Sequence, residues 1–154
     1  MIRRAEGRDA AALAALLRSL NTGPGLHPGR ITAQGVTRDL IADARVILLV
    51  ADEAGVLQGF VSGHPYYDSG ASRWGFIMND LHVAPGARRQ GLGRALVAAL
   101  ATEAARDGGE YLWWDADERD ELALAFHRAI GAEETRTHNF IIRGTAFHDW
   151  AEEP

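Results

Sequence analysis

One short stretch of this chain carries Arg88, Arg89, Gln90, Gly91, Gly93 and Arg94. Before it, Leu81 and Val83 alternate with Asp80 and His82, the pattern of a half-buried strand. Pro85 removes a ladder donor and ends that strand. From Leu92 the period becomes helical, with Leu92, Leu96, Val97 and Leu100 on one face. The first N–H groups of such a helix lack intrahelical partners and carry partial positive charge. An anion fits there, and a pyrophosphate fits well. Glycine puts no Cβ between a phosphate oxygen and the backbone, and arginine adds charge-assisted hydrogen bonds. The competing reading is a plain strand-to-helix turn with a solvated basic face. A Walker A loop is a poor match, because no Gly-Lys-Ser/Thr follows. A Rossmann fingerprint lacks its third glycine and its acidic residue.

The same strand offers proton chemistry. Asp80 and His82 point to one side, two residues apart. Either can act as a base, or serve as a structural carboxylate and a sheet-face imidazole. Asn79 cannot take a proton and can only orient water. Tyr66, Tyr67 and Asp68 offer a lining for a cationic amine, or packing. No pair among the six histidines has helical ligand spacing, so no metal site is expected. The acidic run from Asp115 to Asp120 lacks the glycine and terminal glutamate of a calcium loop and reads as a loop and helix cap.

These groups must be held by ordinary globular elements. A chain of 154 residues, 47% hydrophobic and 24% charged, suggests one domain with a real core. It has no cysteine, which excludes a disulfide frame, a thiolate metal site and a cysteine acyl-enzyme. No apolar run approaches a membrane span and no signal-peptide core is seen, so a cytoplasmic location is expected. A net charge of -5 argues against general nucleic-acid binding and suits cationic substrates.

In order, the sequence predicts a strand from Ile2 to Ala5 and a helix to Leu20 capped by Asp9, with Leu13, Leu16, Leu17 and Leu20 buried. A Gly/Pro-rich loop fills 21–29. A second helix capped by Thr32 runs to Asp43. Val46 to Ala51 and Val56 to Tyr66 form a hairpin, with Gly59 and Gly63 marking a bend or bulge. Trp74 to Val83 is the central strand. The long helix runs from Gly91 to Asp107 and stops at Gly108-Gly109. Tyr111 to Trp114 reads as a buried parallel strand, with Trp113 and Trp114 in the core. Leu122 to Ile130 is a helix ended by Gly131. Glu133–Thr137 and Phe140–Arg143 form a final antiparallel pair, and a short helix spans Thr145 to Glu152. The order β-α-α-β-β-β-α-β-α-β-β predicts an α/β fold, a central mixed sheet with helices on both faces.

Arg88-x-x-Gly91-x-Gly93 after an apolar strand resembles the coenzyme A loop of the GNAT superfamily of N-acetyltransferases. A second segment agrees: Ala123 with Phe126-His127 and Gly131-Ala132 is similar to that family's Ala-x-x-Phe-Tyr-x-x-x-Gly-Phe/Ala pattern. The resemblance implies a single acetyl-CoA-dependent N-acetyltransferase domain over 1–154, acting by direct attack in a ternary complex. Leu81, His82 and Val83 would pair with the pantetheine arm, and backbone N–H at Val83 would meet the thioester oxygen. Arg88, Arg89, Gln90, Gly91, Leu92, Gly93, Arg94 and Ala95 would hold the pyrophosphate. Asp120, Ala123 and Phe126 would contact the coenzyme. His127, in the tyrosine position, becomes either the general acid or a plain helix residue. The loop at 21–29, with His27, would line the acceptor pocket.

Tyr66-Tyr67-Asp68, Asn79 to Val83 and the tail from Phe140 to Glu152 resemble the diamine and thialysine N-acetyltransferases, which act on polyamines or lysine-like amines. Asn79 replaces that group's glutamate, and Asp120 its asparagine. The resemblance also implies a homodimer. The alternatives are acetylation of a protein N-terminus or lysine, and a non-catalytic acyl-CoA-binding module.

Overall fold

The computed structural model describes residues 1–153. The chain forms two compact units, the first spanning Met1–Asp115 and the second beginning at Ala116. The first unit is a five-stranded sheet in the order β1-β2-β3-β4-β5: β1 (Ile2–Arg4), β2 (Ile47–Glu53), β3 (Val56–Asp68), β4 (Arg73–Val83) and β5 (Leu112–Trp113). The first four strands pair antiparallel, and β5 runs parallel to β4. This is the mixed sheet the element order predicts.

Alternation along β2 and β3 builds a core on each face. Leu48, Val50 and Phe60 pack with Leu13, Ala14 and Leu17 of α1 (Ala10–Leu20). Ile47, Leu49 and Val61 pack instead with Leu96, Leu100 and Ala104 of α3 (Leu92–Arg106). Thr32 caps α2 (Ala33–Val36) by accepting from Gly35 N–H at 3.0 Å. That helix is shorter than expected, because a π turn continues it over Thr37–Ile41.

Two bulges shape the sheet. The β2–β3 register shifts between Ala51 and Asp52, opposite Gly59 and Leu57, so Gln58 is the extra residue. The β3–β4 register shifts between Ser62 and Gly63, opposite Asp80 and Met78, so Asn79 is extra. The sequence placed the bend at Gly59 and Gly63, and the two shifts fall beside them. Because Asn79 is inserted, Leu81 and Val83 return to the α3 face and His82 to the α1 face.

Asp9 does not cap α1. Its carboxylate instead accepts from Arg3 at 2.7 and 2.9 Å and from Glu6 N–H at 2.8 Å. Arg3 also reaches Asp52, so one guanidinium ties β1, the approach to α1 and the end of β2. That pairing holds the Asp9 carboxyl below its usual range. Its stabilising contribution is whole above an unfolded carboxylate's pKa of about 3.9 and is lost as pH falls through the lower native value. Asp9→Asn should cost about 2 kcal/mol at pH 7 and flatten the acid limb of stability, read from urea midpoints between pH 2 and 7.

Two further expectations fail. Only Leu112–Trp113 pair as β5, and Trp113 is 46% exposed rather than core. The run ends at the last strand of this sheet, where no further strand of the unit covers it. Tyr111 is used differently: its ring lies over Gly75, where a Cβ would stand 2.3 Å from a ring carbon, with Arg73 4.6 Å above its centroid. In the second unit, α4 (Glu121–Ala129) and α5 (Thr145–Glu152) form as expected, but 132–143 hold no strand. Phe140 and Ile141 are 93% and 71% exposed. A two-stranded hairpin by itself is marginal, whatever its β propensity.

Candidate active site

Strand β4 pairs with β5 only at Phe76 and Ile77. From Met78 to Val83 its β5-facing edge has no strand partner among the described residues. The chain then turns through Pro85–Ala87, and Arg88 Nε donates back to Val83 O at 3.0 Å. Arg89 lies at φ 64 and Gly91 at φ 78, both left-handed. Such a conformation in a non-glycine residue marks a strained loop. Gly91 is the N-cap of α3, and a Cβ there would meet nothing within 4 Å. Its left-handed backbone, more than space, calls for glycine. The N–H groups that open α3 have no intrahelical partner, since the ladder begins with Ala95 N–H donating to Gly91 O at 3.0 Å. The side chains of Arg89 and Arg94 are exposed and take part in no hydrogen bond or ion pair among the described residues.

A row of polar side chains lies on the α1 face beside this edge. Ser62 Oγ donates to Asp80 at 2.8 Å. His82 is 7% exposed, with Nε2 3.3 Å from Ser19 Oγ of α1 and its ring 6.1 Å from that of Phe60. Burial, then the nearby Arg88 cation, pushes its pKa below that of ordinary imidazole. The bulge residue Asn79 places its carboxamide nitrogen 2.8 Å from His64 Nδ1. The first unit thus brings Asn79, Asp80 and His82 together, next to the basic loop. Ser19, Ser62 and His64 join them without having been anticipated. Strand alternation from Phe60 would have shown Ser62 and His64 on this face; nothing local to α1 points to Ser19.

The other expected lining residues have visible structural tasks. Asp68 accepts from Ala71 N–H at 3.1 Å, and the Tyr67 hydroxyl lies 3.1 Å from Ser72 Oγ, so both close the β3–β4 turn. Tyr66 is 48% exposed, and His27 opens a turn at Pro28–Arg30. In the second unit, Asp120 caps α4 by accepting from Ala123 N–H at 3.0 Å. Phe126 and His127 meet edge to face at 5.3 Å. Burial lowers the His127 pKa against the opposing pull of Asp120. Among the described residues no group of three His, Asp or Glu side chains has the geometry to hold a metal ion, and no helix is long and apolar enough to cross a membrane.

The family model described as "Acetyltransferase (GNAT) family" matches residues 13–132. Among curated relatives, an uncharacterized N-acetyltransferase, YhfO of Bacillus subtilis (strain 168), is 28% identical over 133 residues, 86% of this chain and 89% of that protein. The L-ornithine N5-acetyltransferase NATA1 of Arabidopsis thaliana is 31% identical over 78 residues, 51% of this chain and 34% of that one. Among solved structures, AAC(6')-Iy in complex with the bisubstrate analogue CoA-S-monomethyl-acetylneamine superposes with a TM-score of 0.79 at 20% identity, covering 94% of this chain and 97% of that one. The chain belongs to the acetyltransferase (GNAT) family. It is an acetyl-CoA-dependent N-acetyltransferase, with acetyl-CoA as co-substrate.

Proposed function

We propose that this enzyme acetylates the primary amine of a small cationic molecule, with lysine-like amines and polyamines first. One observation carries this reading: the unpaired end of β4 runs directly into a glycine-capped, arginine-rich helix start, beside a polar row holding an imidazole. The open edge from Leu81 to Val83 suits the amide groups of a pantetheine arm, as an added strand would. The α3 start, from Arg88 through Ala95, suits the pyrophosphate, with free arginines at its rim. Asp120, Ala123 and Phe126 complete the coenzyme contacts of a single domain spanning 1–154.

The acceptor amine, with a free pKa of ~10.4 if lysine-like, must lose a proton before attack. His82 and Asp80 stand on the face where that proton is taken, with Asn79 orienting water. His127 serves as acid to the departing thiolate. Tyr66, Tyr67, Asp68 and His27 line the acceptor side. The amine class draws support from the printed activity of the ornithine N5-acetyltransferase relative and from the net charge of -5. A homodimer and a cytoplasmic location belong to the same reading.

Coenzyme A thiol release from acetyl-CoA tests it, with L-ornithine, L-lysine, spermidine, kanamycin and an N-terminal peptide as acceptors. Turnover on ornithine, lysine or spermidine at least about tenfold above the peptide is expected. Preference for the peptide overturns the small-amine reading, and preference for kanamycin overturns the lysine-like one.

A further inference from the structure

Ser19 occupies the last turn of α1, and its Oγ–H donates to Leu16 O at 2.7 Å. A hydroxyl has one proton, and this bond uses it. His82 Nε2, 3.3 Å from the same oxygen, therefore faces a lone pair. The proton between them belongs to the ring. A neutral imidazole carries one N–H, so Nδ1 holds the other lone pair. No hydrogen bond engages Nδ1, yet no buried polar side-chain atom among the described residues lacks a partner. Nδ1 is therefore the open atom of an otherwise buried ring.

We propose that Ser19 is a positioning residue for acetyl transfer: it accepts the Nε2–H of His82 and so presents Nδ1 as the acceptor of the amine proton. This rests on the small-amine reading above. The charged group acting on the ring is Arg88 from the following loop, and Asp80 shares the strand face of His82; β3 contributes Phe60 and α1 the Ser19 hydroxyl. In the step, the substrate ammonium gives one proton to Nδ1, making an imidazolium whose Nε2–H stays on Ser19. The freed amine attacks the thioester carbonyl carbon. The C–N bond forms and the C–S bond breaks; the second amine proton leaves to water, and the coenzyme A thiolate takes its proton from the general acid, which regains one from water. The imidazolium then returns its proton to water.

Two readouts on full-length protein test this. Long-range 1H–15N spectra of the His82 ring report its tautomer without any turnover. The expected wild-type ring is Nε2–H with a bare Nδ1 at pH 8, and Ser19→Ala should give a mixture of tautomers. With L-ornithine, spermidine and kanamycin as acceptors, Ser19→Ala should lower kcat by about tenfold, below the 10²–10⁴ of a whole general base, and move the acidic limb of kcat/KM. KM for acetyl-CoA should stay within about twofold, and Ser19→Thr should restore both the spectrum and the pH profile. A wild-type ring protonated on Nδ1 overturns the proposal, as does a Ser19→Ala protein with an unchanged spectrum and unchanged profile. Wild-type protein that turns over none of the three amines overturns the small-amine reading instead, and the ring spectrum still decides the role of Ser19.

Discussion

His82→Gln lowers kcat/KM for the acceptor amine at pH 7 by about 10²–10⁴-fold, the range a positioned general base supplies. Glutamine keeps a polar side chain of similar reach toward Ser19, so the urea midpoint should change by no more than about 1 kcal/mol in stability. The expected loss is chemical because a glutamine amide cannot carry the proton away. The pH profile separates this from a packing defect. Burial and Arg88 hold the His82 pKa below the ordinary ~6.5 of imidazole, so the acidic limb of kcat/KM lies below that value in wild type and vanishes in the variant. Stability carries the same signature. A ring with a lowered native pKa contributes fully above ~6.5 and loses that contribution as pH falls through the native value. The competing candidate is Asp80, which already accepts from Ser62. A full loss in Asp80→Asn, with His82→Gln near wild type, would move the proton transfer to the carboxylate.

The parts legible in the sequence are those fixed by local periodicity. Leu92, Leu96, Val97 and Leu100 repeat at helical spacing and form α3. Leu48 and Val50 alternate with Leu49 and Ala51, and they sort cleanly between the two cores. Gly91 is legible because the left-handed N-cap at φ 78 selects for glycine. What was not legible depends on residues far apart in the chain. Ser19 meets His82 across 63 positions, and Arg3, which draws Asp9 from its cap, is itself held by Asp52 49 positions away. Phe140-Ile141-Ile142 has strong strand propensity, yet a strand needs an edge to pair with, and propensity does not supply one. Trp113 shows the same limit, since an apolar run signals a buried strand only if another layer covers it, whereas its neighbour Trp114 does pack against the core on the α3 face.

Gly59→Ala should remove about 2–3 kcal/mol of stability and raise KM for acetyl-CoA, an effect out of proportion to one methyl group. Gly59 pairs directly with Val83 across β3 and β4. A Cβ there would stand 2.5 Å from His82 O and 3.2 Å from Val83 Cα. Both atoms are backbone, so no side-chain rotation relieves the contact, and β4 itself must move away from β3. Overpacking of a filled site costs about 1–3 kcal/mol, and the upper part of that range applies where only a strand can yield. The strand that yields is the one ending in the open edge from Leu81 to Val83, so coenzyme binding suffers with the fold. Gly29→Ala is the matched control. Its added Cβ meets nothing within 4 Å and its φ is not left-handed, so it should stay within about 0.5 kcal/mol of wild type. Urea unfolding with and without acetyl-CoA reads both effects: the stabilisation by saturating acetyl-CoA should shrink in Gly59→Ala and persist in Gly29→Ala. A Gly59→Ala protein with wild-type stability and unchanged coenzyme-linked stabilisation would mean that β4 tolerates the displacement, and that the geometry at Val83 does not govern acetyl-CoA binding.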